Sequence, residues 1–70
     1  MIKQDYKNYY TLFIRKTWSE RLPEVSKYVK YLGGKVYQIN DTFASIEISC
    51  NPNIIPQLSQ HQSIEFIEKD

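Results

Sequence analysis

The sequence predicts an α+β fold, a four-stranded antiparallel sheet with two helices packed on one face. Three observations predict it. Strand-like runs rich in aromatic and β-branched residues interleave with two stretches of helical spacing, in the order β-α-β-β-α-β. Within two of the strand runs apolar residues alternate with a mixed set, the pattern of a sheet covered on one side only. Breakers stand at the junctions: Gly33-Gly34, Asn40-Asp41 and Asn51-Pro52-Asn53.

Residues 1–8 are polar and charged and read as a loose arm. Tyr9-Tyr10-Thr11-Leu12-Phe13-Ile14-Arg15-Lys16 suits a first strand. Thr17-Trp18-Ser19-Glu20 turns the chain into a helix, along which Leu22, Val25, Tyr28 or Val29, and Leu32 recur at helical spacing. Pro23 fits its first turn, where a missing N–H costs little. Gly33-Gly34 closes it, because glycine accepts the left-handed conformation of a helix C-terminus. Trp18 is expected to pack over this helix. Lys35-Val36-Tyr37-Gln38-Ile39 forms the second strand, Asn40-Asp41 a two-residue hairpin turn, and residues 42–49 the third strand. A short second helix begins near Asn53, kept short by Pro56, with Ile54, Ile55 and Leu58 on its apolar side. Gln60-His61-Gln62 is a loop, and Ser63-Ile64-Glu65-Phe66-Ile67-Glu68 the last strand. This order is the split βαβ, or ferredoxin-like, arrangement, with residues 9–70 as one domain.

Composition narrows the function. Seventy residues make one small domain, which buries roughly 60% of the surface its unfolded chain exposes. The 41% of hydrophobic residues is enough for a packed core rather than a disordered tail. A formal net charge of +1 argues against a dedicated nucleic-acid binder, which carries a basic excess. The single cysteine, Cys50, excludes an internal disulfide framework and a cysteine-based zinc site, and no metal or cofactor is implied. No apolar run is long enough to span a membrane. The first residues lack the apolar core of a signal peptide, so the chain is expected to be cytoplasmic if complete, or secreted if cut from a precursor.

Alternation assigns the two sheet faces. Tyr10, Leu12 and Ile14 of the first strand, with Ala44, Ile46 and Ile48 of the third, are purely apolar and belong under the helices. Tyr9, Thr11, Phe13 and Arg15, with Phe43, Ser45 and Glu47, form the open face. A two-residue turn at Asn40-Asp41 then sets Gln38 opposite Phe43 and Val36 opposite Ser45, also on that face. Three rings on the two central strands, Tyr9, Phe13 and Phe43, approach the few hundred Å² of exposed apolar surface that mark a binding site.

Three segments carry a family resemblance. They are Tyr9-Tyr10-Thr11-Leu12-Phe13-Ile14, the junction Leu32-Gly33-Gly34-Lys35-Val36, and the ending Leu58…Ser63-Ile64-Glu65-Phe66-Ile67-Glu68-Lys69-Asp70. In order and spacing they resemble the propeptide, or inhibitor I9, family of subtilisin-like serine proteases. The resemblance implies a module that docks its open sheet face on two parallel surface helices of the protease, assists the enzyme's folding and inhibits the folded product. It further implies that two carboxylates after the last strand, here Glu68 and Asp70, meet the N-termini of those helices. A carboxylate is favoured there by unpaired N–H groups and partial positive charge. Family members continue past this acidic pair into a tail that fills the protease cleft, so these 70 residues are expected to dock or chaperone rather than to plug that cleft. The partner-binding set is therefore Tyr9, Thr11, Phe13, Phe43, Ser45, Glu47, Glu68 and Asp70. Ile64, Phe66 and Ile67 serve packing and edge without a division between them.

An RNA-recognition domain shares this element order and stacks bases on rings of its first and third strands, here Tyr9, Phe13 and Phe43. Asp41-Thr42 stands where its longer motif has a basic residue and glycine, Ser45 replaces a second ring, and Glu47 repels phosphate. Small-molecule and metal-carrier modules use the same fold, but no Cys-x-x-Cys is present. Catalysis is not expected: the one histidine, His61, reads as a solvated loop residue, and Cys50 as a small buried one.

Overall fold

The computed structural model describes residues 8–70. Its strands are β1 (Tyr9–Ile14), β2 (Lys35–Asn40), β3 (Ser45–Ser49) and β4 (Ile64–Lys69). The helices are α1 (Leu22–Tyr31) and α2 (Ile55–Gln60), each preceded by a 3₁₀ turn, Lys16–Trp18 and Pro52–Ile54. The strands form one antiparallel sheet in the order β2-β3-β1-β4. This is the α+β, βαββαβ arrangement with β1 and β3 in the centre. Residues 1–7 of the expected arm lie outside the described residues; the carbonyl of Asn8 accepts from the Cys50 N–H.

The core lies between the sheet and the helices. Leu12, Ile46 and Ile48 from the central strands meet Leu22, Val25 and Val29 of α1, Leu58 of α2 and Ile64 of β4, all fully shielded from solvent. Burying each such side chain is worth about 1.5–3 kcal/mol. Leu22, Val25 and Val29 fall on one stripe of α1 because their spacing follows the helical repeat. The helix ends where Gly33 adopts φ +97°: its N–H donates to Lys30 C=O and that of Gly34 to Val29 C=O. The two bonds satisfy carbonyls that the last turn leaves open. Asn51 starts the second helical stretch by accepting the Asn53 N–H on its side-chain oxygen at 2.8 Å.

Two register details differ from the sequence expectation. The β2–β3 connection is a four-residue loop, residues 41–44, not a two-residue turn, and the last pair is Asn40↔Ser45. The Asn40 side chain accepts the Phe43 N–H, the Asp41 carbonyl accepts the Ala44 N–H, and Ala44 takes φ +51°. These local bonds satisfy a wider turn, and β3 starts three residues later than expected. The second difference is a bulge: Val36 pairs with Ile48 and Gln38 with Glu47, leaving Tyr37 as the extra residue. A one-residue slip reverses facing. Val36 therefore packs against the core, not on the open face, while Tyr37 meets Tyr9 with ring centroids 5.6 Å apart. A second bulge lies in β4, where Phe13 pairs with Phe66 but Ile14 with Ile64, so Glu65 is extra.

Candidate functional site: the open sheet face

Neither helix covers the far face of the sheet, and the register orders its residues into three rows. The first row runs Lys35, Ser49, Tyr9 to Asp70, the second Gln38, Glu47, Thr11, Glu68, and the third Asn40, Ser45, Phe13, Phe66. Asp70 extends the β4 ladder by donating its N–H to the Tyr9 carbonyl at 2.9 Å. Its carboxylate accepts the Thr11 hydroxyl at 3.4 Å. Glu47 and Glu68 flank Thr11 from the two neighbouring strands. Three carboxylates thus gather round one threonine, and among the described residues none of them forms an ion pair. All three are exposed, so water screens the repulsion among them.

Aromatic pairs stand on either side of this acidic band. Tyr9 meets Tyr37 at the β2 side, and Phe13 stacks on Phe66 at the β4 side, centroids 4.5 Å apart. Tyr9, Tyr37 and Phe66 stay between about 39% and 51% exposed, so each ring keeps surface for a partner.

The structure brings Tyr9, Thr11, Phe13, Ser45, Glu47, Glu68 and Asp70 onto this one face. Ser45 lies in it but is buried under its neighbours. Phe43 is a correction: it sits in the 41–44 loop, 72% exposed, because β3 begins only at Ser45. On the open face β3 presents Ser45, Glu47 and Ser49, without a ring. Two face residues were missed. Tyr37 escapes strict alternation because it is the bulge residue. Phe66 was visible as an aromatic between Ile64 and Ile67, and the bulge at Glu65 sends it to the open side while Ile64 is buried and Ile67 packs on the core.

His61 lies in a loop as expected, but its ring is half-buried rather than solvated. Its ring packs against Tyr28 and Trp18, with centroids 4.6 and 5.5 Å away. Its Nδ1 accepts the Ser63 N–H at 3.1 Å and lies within hydrogen-bond distance, 2.7 Å, of the Ser63 hydroxyl oxygen. Ser63 is wholly buried, so its oxygen serves the turn rather than facing a substrate. Burial raises the Cys50 thiol pKa above its ordinary value. Among the described residues no group of three or more His, Cys, Asp or Glu side chains is placed to hold a metal ion. No described helix is long and apolar enough to cross a membrane.

Compared with known proteins, the chain finds no match among family models, curated proteins or solved structures.

Proposed function

We propose that the chain is a prodomain-like module that binds a subtilisin-like serine protease through its open sheet face, as an intramolecular chaperone, an inhibitor, or both. The observation that carries this reading is the helix-free face on which Glu68 and Asp70 lie beside Thr11 at the β1–β4 pair. Two exposed carboxylates, one of them oriented by the Thr11 hydroxyl, suit the N-termini of surface helices, where each is favoured by roughly 0.3–1 kcal/mol and up to about 2 when partly buried. The rings on either side supply apolar contact around that polar centre. The reading rests otherwise on the resemblance of the three sequence segments.

Base stacking on the same face is the less favoured reading. A platform across the two central strands needs a ring from β3, and Phe43 has left that strand. Three carboxylates also oppose a phosphate backbone.

The test is calorimetric titration of the whole chain into a subtilisin-like serine protease, together with refolding of the denatured mature protease in its presence. Binding, with faster recovery of active protease, is the expected result. Absence of both, or tighter binding to single-stranded RNA, overturns the reading.

A further inference from the structure

The protein already holds one guanidinium between a ring and a carboxylate. Arg21 lies over the Trp18 ring, 3.9 Å from its centroid. Its Nε and Nη2 donate to the two Glu24 oxygens at 3.2 and 3.0 Å. The β2–β3 loop offers a ring and carboxylates of the same kind with no guanidinium among them. A cleft of about 370 Å³ opens beside it, lined by Ile14, Lys16, Asp41, Phe43, Ala44 and Glu65 among others. The Phe43 ring on its wall is 72% exposed. Among the described residues the Asp41 and Glu65 carboxylates form no hydrogen bond or ion pair. Two carboxylates against the single Lys16 ammonium leave the cleft anionic.

The loop is also fixed in place. Asn40 Oδ1 holds the Phe43 N–H, the Ala44 carbonyl accepts from Ile14 N–H at 2.8 Å, and Ala44 keeps a left-handed backbone that a non-glycine residue adopts at a cost. Backbone strain retained next to an exposed ring is a reason to look for function there.

We propose that this cleft is a docking site for an arginine side chain of a protein partner. The guanidinium lies on the Phe43 ring and bonds the Asp41 and Glu65 carboxylates, and its aliphatic stem runs along Ile14 and Ala44. Arginine fits better than lysine because its planar fork can stack and pair at once. The site is separate from the open-face residues and does not depend on which protein docks there.

The probe is N-acetyl-arginine-amide, titrated to 50 mM into the whole chain and followed by ¹H–¹⁵N correlation spectra. Saturating shifts at residues 14–16, 41–44 and 65 are expected, and none with the uncharged citrulline analogue. Phe43→Leu, which keeps apolar bulk but loses the π face, weakens binding about threefold to fivefold, and Phe43→Ala at least as much. Asp41→Asn combined with Glu65→Gln abolishes saturation, whereas Lys16→Gln tightens binding. An equal response to citrulline, scattered shifts, no saturation by 50 mM, or wild-type binding by Phe43→Leu overturns the proposal. Tighter binding of free arginine than of the capped form also overturns it, since it would mark an amino-acid site.

Discussion

Phe13 and Phe66 stack across the β1–β4 pair with their planes only 18° apart. Such a pair is worth about 0.5–1.5 kcal/mol beyond the area it buries. Because Phe66 is half exposed, Phe66→Ala should cost about 1 kcal/mol of stability in urea denaturation and leave the fold intact. In the proposed complex the same change should weaken protease binding at least tenfold. Equal affinity of wild type and variant would remove this ring from the interface.

Glu68→Gln and Asp70→Asn should each lower affinity for the protease about twofold to fivefold at low ionic strength, with the gap closing as salt rises. Thr11→Val tests the positioning of Asp70 without altering charge, and should lower affinity less than Asp70→Asn does. A salt-independent loss, or none, would mean the carboxylates do not face positive potential.

Two backbone positions should respond in opposite directions. Ala44→Gly releases the left-handed strain but loosens the unfolded chain, for a net gain of about 0.5 kcal/mol. That corresponds to about 2–4 °C in melting temperature. Gly34→Ala would place a Cβ 2.7 Å from Val29 Cγ1 and 3.2 Å from the Val29 carbonyl oxygen. Val29 is fully buried and cannot swing away, so the loss should be about 1–3 kcal/mol. A domain this small holds only about 3–5 kcal/mol in total, and circular dichroism should show Gly34→Ala melting early.

Burial disfavours the Cys50 thiolate. The folded chain should therefore react with a disulfide reagent at pH 8 more slowly than the urea-unfolded chain. A thiol whose pKa is raised on folding contributes stability that is complete below its unfolded value, near about 8.5, and is lost as pH rises through the folded value. Stability of wild type should accordingly fall more steeply above pH 9 than that of Cys50→Ala. Parallel curves would place the thiol in contact with water.

The fold was legible because its signals are local and agree with one another. Leu22, Val25 and Val29 share a helical stripe, Tyr10, Leu12 and Ile14 alternate, and Gly33-Gly34 stands where the helix must stop. Register was less legible. Whether Asn40-Asp41 closes a tight turn or opens a wider loop depends on tertiary bonds, among them the one from Ile14 to Ala44, that no local pattern announces. The bulges at Tyr37 and Glu65 likewise shift partners by one residue and redirect Val36, Tyr37 and Phe66. Most of the face was therefore readable from the central strands, whose mutual register is unbroken. Its outer rings were not. The packing of His61 was missed for a similar reason: Trp18 and Tyr28 lie more than thirty residues away along the chain and reach its ring only in the folded domain.

Both bulges lie in the outermost strands, one on each flank of the sheet. An interrupted ladder is a poor template for another chain to extend, so neither flank invites edge-to-edge stacking into fibres. At high concentration the protein should consequently stay dispersed, and association should be directed to the broad surface between the flanks.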